Sequence, residues 1–229
     1  MSGTYTAEGV RQEHVNCMGQ DLGLLYHALW NELAWVESKW VEYVELYGTN
    51  ESRIDLLNQA AGHFFKIVQD SLWDDTLLHI ARLTDPAKSM GKENLSIKKL
   101  PLSISDDSLR KKVSELIGLA DTKTDFCRDR RNRRIAHRDF RLAMKTGAEP
   151  LLPASRSMVR EALNSLADVL NAVSCHYLDS TTEYEHAISS NGAAQLLYVI
   201  DDGLRESEKR NSRIRNGEYL PEDLEIRDL

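Results

Sequence analysis

Between Arg128 and Arg141 the chain carries seven arginines (Arg128, Arg130, Arg131, Arg133, Arg134, Arg138 and Arg141) against only Asp129 and Asp139. Inside this run Arg131 is followed by the polar Asn132 and, five residues further on, by His137. A guanidinium is permanently charged and offers a planar fork of donors that suits a phosphate. An imidazole, with a pKa of about 6.5, can take or give a proton near neutrality. The window carries +5 in a chain of net charge −7, which leaves −12 elsewhere. Crowding of like charge raises the free energy of a fold unless something offsets it. An acidic face of the same fold would do so, and so would a phosphate-bearing ligand. The plain alternative is a solvated basic face paired with Asp125, Asp129 and Asp139, with His137 capping a helix C-terminus, where a cation is favoured.

Other constellations carry less. There is no Gly-rich phosphate loop, no paired zinc-helix histidine motif and no nucleophile elbow. Ser96-Ile97-Lys98-Lys99 and Lys145-Thr146-Gly147 match fragments of penicillin-recognising serine enzymes, but both fall in loops of a chain without strands. Asp70 with Asp74, and Asp75 with His79, stand four apart on a predicted helix. They read as surface or satisfied core groups, because a di-iron bundle needs Glu-x-x-His on two helices. No metal or other cofactor is expected. Trp30, Trp35 and Trp40 are five apart and drift around a helix, so they read as packing residues. Cys17, Cys127 and Cys175 are odd in number and widely spaced, and read as small apolar fillers.

The elements that must position the basic run are helical. Apolar residues from Leu22 to Tyr47 recur at three- and four-residue spacings, which predicts an amphipathic helix about 39 Å long. A shorter helix, Ala7 to Met18, precedes it, with Thr6 as its cap. Asn50 or Ser52 caps the next segment, a short piece through Leu57 and a longer one from about Ala61 to Leu83. In the longer piece Phe64, Phe65, Ile67, Val68, Leu72 and Leu77 cover more than one face, which predicts burial on two sides. Asp85-Pro86 ends it. Residues 86–105 read as a loop. Ser105-Asp106-Asp107 starts a helix whose spacing continues through Phe126 to Ile135. Residues 138–154 read as a second loop. Ser155 or Ser157 starts a further helix, and a last one runs from about Ala193 to near Arg215. Residues 218–229, with five acids and one arginine, read as a mobile tail.

No segment alternates with the period of a strand. The expected fold is therefore all-α, a bundle of about five to seven helices around one core. Residues 1–217 are expected to form a single helical domain and 218–229 an acidic tail. At 41% hydrophobic and 28% charged the chain is not of the disordered type. It has no apolar stretch long enough for a membrane span. Residues 1–10 lack the basic and apolar regions of a secretory signal, so a cytoplasmic location is expected.

The stretch Arg131-Asn132-Arg133-Arg134-Ile135-Ala136-His137 resembles the arginine–polar–spacer–histidine motif of HEPN domains, and more closely their abortive-infection U branch. Three further features of that branch follow the same order: Leu56-Leu57-Asn58 with Phe64-Phe65, Leu72 to Pro86 ending in Ala81-Arg82-Leu83-Thr84-Asp85-Pro86, and Gly91-Lys92-Glu93-Asn94-Leu95-Ser96. The similarity covers about residues 20–180. It implies an HEPN-like helical homodimer whose two motifs face each other. In active members it also implies metal-independent RNA cleavage in phage defence, abortive infection or toxin–antitoxin systems, with an antitoxin or defence protein as a possible partner. In such an enzyme the RNA 2′-hydroxyl attacks the neighbouring phosphorus and leaves a cyclic phosphate. His137 would be the acid or base and Arg131 would stabilise the charged transition state. Asn132 would orient the arginine or the phosphate. Arg130, the next candidate after Arg131, would join Arg133, Arg134 and Arg138 in binding RNA phosphates. Arg131 and His137, six apart, stand about 120° from each other on a regular helix, whereas Arg133, four before His137, shares its face. The alternative is a catalytically silent HEPN module that binds nucleotide, RNA or a partner protein. The tyrosine that nucleotidylated toxins of the family carry two residues after the histidine is Asp139 here, so that modification is not expected.

Overall fold

The structure, a computed structural model, describes residues 6–186 and 191–225. Among them it is an all-α assembly. Six helices are long: α1 (Ala7–Met18), α2 (Gln20–Tyr47), α3 (Glu51–Leu83), α5 (Asp107–Arg130), α7 (Arg156–Leu178) and α8 (Ala193–Asn216). Two are about one turn, α4 (Leu100–Ser103) and α6 (Phe140–Met144). A two-residue hairpin, β1 (Lys88–Ser89) with β2 (Lys92–Glu93), is the sole sheet described, and it lies within the expected 86–105 loop.

Helix starts follow from side-chain oxygens that accept the first free backbone N–H groups. Thr6 caps α1 by accepting from Gly9 N at 3.1 Å. Asn50 caps α3 through Arg53 N at 3.0 Å, and Asp106 caps α5 through Leu109 N at 2.6 Å. Ser155 caps α7 through Met158 N at 3.2 Å. The expected break near Ala61 is present: α3 is kinked there, with φ −164° and ψ 64°.

Two compact units divide the chain. The first takes in residues up to Trp40 and Leu72–Ala187. Its core holds Tyr26, Leu29, Leu33, Val36, Trp40, Leu77 and Ile80, with Val113, Leu163, Leu166 and Leu170 from α5 and α7. The α5 and α7 helices pack extensively against each other within it. Beside that core Arg160 of α7 grips Glu37 of α2 with both carboxylate oxygens at 2.9 Å. Glu37 is only 1% exposed, and burial raises its carboxyl pKa against the lowering effect of Arg160. At Gly23 the backbones of α1 and α2 touch: a Cβ there would lie 2.6 Å from His14 O and Val15 Cα.

The second unit comprises residues 41–71 and those from 188 onward. Within it Tyr43, Leu46, Leu57, Phe65, Ala193 and Leu197 are buried. Glu42 accepts from Ala193 N at 2.5 Å, and Tyr47 donates to Phe65 O at 2.8 Å. Two expectations change here. Phe64 and Ile67 are more than half exposed, so this stretch of α3 buries Phe65 but is not covered on two sides. The acidic tail, expected as mobile, carries one buried anchor among its described residues. Asp223 is buried under Arg213, whose Nε reaches its Oδ2 at 2.9 Å. That contact and the Leu220 N–H hold the Asp223 carboxyl well below its ordinary range, at about 2. Among the described residues no helix is long and apolar enough to cross a membrane.

Candidate functional site

The basic run occupies the end of α5 and a different kind of turn beyond it. Residues Arg131–Ile135 form a π-helical turn, closed by Ala136 N donating to Arg131 O at 2.8 Å. A still wider turn follows, in which Asp139 N donates to Arg133 O at 3.0 Å. The regular helix expected through Ile135 therefore stops at Arg130. Angles counted at 3.6 residues per turn do not carry from Arg131 to His137. Such bulges recur at functional sites.

Two arginines anchor this end to the C-terminus of α3, where free carbonyls carry partial negative charge. Arg128 donates to Thr84 Oγ1 at 3.2 Å, and it also pairs with Asp121 at 3.2 Å and Asp125 at 2.9 Å. Arg131 pairs through Nη1 with Asp85, and its Nε donates to Asn132 Oδ1 at 3.0 Å. The guanidinium of Arg131 is thus held from two sides while Nη2 is engaged by neither.

The remaining predicted residues separate. Arg130 points elsewhere, with Nη2 donating to Leu152 O at 3.1 Å and Nε buried without a partner. Burial first, and then Arg134, lowers the pKa of Arg130. Arg133 does not turn toward His137. It donates to the carbonyls of Glu149 and Pro150 and pairs with Asp129 at 3.2 Å. Together with Arg134 and Arg138 it lines a cleft of about 490 Å³, closed by Asp74, Asp139, Leu142, Lys145 and Leu151. Arg134 stands 4.0 Å from Asp74. Arg138 and Lys145 form no ion pair or side-chain hydrogen bond among the described residues. Asn132 and His137 are exposed, and the His137 ring has no protein partner among the described residues.

Sequence reasoning missed Asp85, Lys145 and α6. Asp85 registered as a helix stop before Pro86 and as part of a family-like segment, but not as a partner of Arg131, and Lys145 only as part of a rejected tripeptide. Phe140–Met144 lay inside the expected 138–154 loop, yet Asp139 caps it by accepting from Leu142 N at 2.8 Å. Lys145 closes α6 in the left-handed conformation, φ 55° and ψ 35°.

The other candidate groups have structural partners. His79 is buried between Glu32 Oε2 at 2.6 Å and Lys39 Nζ at 3.1 Å, and Lys39 also pairs with Asp75. Desolvation, then Lys39, lowers the His79 pKa. Asp70 pairs with Lys66 at 2.5 Å on the surface. Among the described residues no three histidine, cysteine or carboxylate side chains gather into a metal site. Ser96 is fully buried, donating to Asp85 O at 2.5 Å. Cys127 is buried and its thiol is pushed up to about 12, but Cys17 and Cys175 are exposed, unlike the expected fillers. Trp40 is buried as expected, whereas Trp35 is largely exposed.

A family model for HEPN domains, described as AbiU2, matches residues 19–196. No curated protein and no solved structure matches the chain.

Proposed function

Because this chain belongs to the AbiU2 family of abortive-infection HEPN modules, we propose that it is a metal-independent endoribonuclease whose active residues are Arg131, Asn132 and His137. The observation that carries the reading is the contrast between two side chains at one helix end. Arg131 is held in place by Asp85 and Asn132, and His137 beyond it is exposed and unpartnered.

The chemistry asks for both. His137 removes the proton from the RNA 2′-hydroxyl or gives one to the departing 5′-oxygen, and imidazole can do either near neutrality. The 2′-oxygen attacks phosphorus, the P–O5′ bond breaks, and the products are a 2′,3′-cyclic phosphate and a 5′-hydroxyl. Negative charge grows on the phosphoryl oxygens in the transition state. A guanidinium fixed in advance needs no reorganisation to meet it. Arg133, Arg134 and Arg138 hold flanking phosphates, which makes binding salt-dependent. In this reading two copies of the chain associate and complete the site, and the reaction takes place in the cytoplasm under the control of an antitoxin or another defence protein.

A second reading has its own support. The Asp85 carboxylate neutralises Arg131, which suits a silent module that binds nucleotide, RNA or a partner protein without cutting. One assay separates the two. RNA incubated with the parent protein in EDTA is cleaved under the first reading, with cyclic-phosphate ends. His137→Ala abolishes cleavage, and Arg131→Ala lowers it by about 10²–10³, the usual loss for one such donor. RNA bound but left intact by the parent selects the second reading. Cleavage at parental rates by both variants overturns the assignment.

A further inference from the structure

We propose that α6 is a base-stacking platform, formed by Phe140 with Met144, which together with the adjoining basic cleft makes a track for single-stranded RNA. The proposal rests on the reading of this chain as an RNA-acting HEPN module and adds the form of RNA it accepts and where the bases go.

Two independent observations meet here. The first is an apolar pair left in water. Phe140 is 75% exposed and Met144 59% exposed, although burying either would ordinarily be favourable. They stand four apart on α6, so their side chains are neighbours on one face. The helix that presents them is fixed at both ends, by the Asp139 cap and the left-handed Lys145, and half-buried Leu142 ties it down. The second observation is cationic charge without protein partners. Arg138 and Lys145 bracket α6 and line the cleft of about 490 Å³, which also holds Arg133 and Arg134. Four cations there face two carboxylates, Asp74 and Asp139.

An exposed aromatic side chain on the same short helix whose Leu142 and Ala143 line a cation-rich cleft matches one ligand chemistry. Bases stack on the ring while the backbone phosphates follow the guanidinium and ammonium groups. In a duplex the base faces are already stacked on one another, so a platform of this kind selects single strands, loops or ends. A two-fold axis through α6 itself would set Arg138, Arg141 and Lys145 against their own equivalents, so the second copy that completes the site is not centred on this patch. The cleft begins one residue beyond His137, so a strand lying on α6 leads into the proposed catalytic position.

The test uses the full chain carrying His137→Ala, which keeps the RNA intact, and a fluorescent 12-nucleotide RNA without self-complementarity. Its blunt duplex serves as the comparison, and binding is followed by anisotropy at several salt concentrations. The single strand should bind more tightly than the duplex. Adding Phe140→Ala should weaken single-strand binding by about 5- to 150-fold, the range for one stacked base, and Phe140→Trp should restore it. Adding Arg138→Ala should weaken binding and reduce the slope of log affinity against log salt by about 0.7. Phe140 is exposed, so an unchanged melting temperature verifies that its variants fold. Equal affinity for duplex and single strand, absence of single-strand binding, or parental binding by Phe140→Ala each overturns the proposal. So does a loss of dimer caused by Phe140→Ala, because the patch would then belong to a protein contact. The catalytic reading fails separately: a chain with intact His137 that binds RNA through Phe140 without cutting it refutes cleavage and leaves the platform standing.

Discussion

Replacing Arg160 with alanine isolates one buried charge. Glu37 is 1% exposed, and both of its oxygens lie 2.9 Å from the Arg160 guanidinium. Without that partner the buried carboxylate loses the ion pair that matches its charge, and the nearby Glu185 adds like charge. Breaking a buried pair from one side costs about 3–5 kcal/mol, and the partial exposure of Arg160 places the expectation near about 3 kcal/mol. For a chain of this length that corresponds to a fall in Tm of about 6–12 °C. The loss should depend on pH in a defined direction. Burial already raises the Glu37 pKa, and removing Arg160 takes away its main opposing influence. A carboxyl whose pKa is higher folded than unfolded binds more protons in the native state, so stability falls as pH rises through that interval. The deficit of Arg160→Ala should therefore be largest near pH 8 and shrink toward pH 5, where Glu37 can protonate. Thermal melts followed by circular dichroism at pH 5, 6.5 and 8 measure this. Glu37→Met with Arg160→Met should recover much of the loss, since apolar pairs often replace buried ion pairs at no net cost. A Tm within 2 °C of the parent at pH 8, or a deficit equal at all three values, refutes the reasoning.

Other expectations follow from single contacts. Gly23→Ala places a methyl 2.6 Å from the α1 backbone and should cost at least about 1–3 kcal/mol, read by denaturant melts. Asp106→Ala removes the cap of α5 and should cost about 1 kcal/mol in the same assay. Asp85→Asn frees Arg131 from its ion pair; kcat for RNA cleavage should fall by up to about 10², while RNA affinity at low salt does not weaken. His14, His27 and His79 all have pKa values below the ordinary histidine range, chiefly through desolvation. Their native forms bind fewer protons than the unfolded chain, so the stability they contribute is present above about pH 6.5 and lost as pH falls through that value toward their folded pKa. A His79→Gln variant should show a shallower loss of Tm between pH 7.5 and 5.5 than the parent.

What the sequence made legible has a physical pattern. Thr6, Asn50, Asp106 and Ser155 announced helix starts because a capping oxygen acts on a backbone N–H two or three residues away. The kink near Ala61 and the arginine–histidine element were readable for the same reason: each is local. Asp85 lies 46 residues from Arg131, and nothing at either position reports the other. The π-helical turn escaped because apolar spacing assumes a constant winding, and this segment is nearly all arginine. α6 is five residues long, too short for periodicity, and lies within a stretch broken by Gly147, Pro150 and Pro153. Phe64 and Ile67 misled in the opposite sense. Their spacing is that of a core face, but spacing records which side of a helix is apolar and is silent about whether anything covers it.

The wound segment after α5 also bears on how the chain tolerates a change in its own length. Taking one residue out of a regular helical turn rotates every group beyond it by about 100°. Between Arg131 and Ile135 the backbone carries surplus length inside a hydrogen-bonded coil, with Ala136 N closing onto Arg131 O. Excising one residue there would let the coil tighten to common pitch with Ala136 still above Arg131, and His137 would keep its bearing. A single-codon deletion in this turn would thus be far milder than the same deletion one turn earlier in α5.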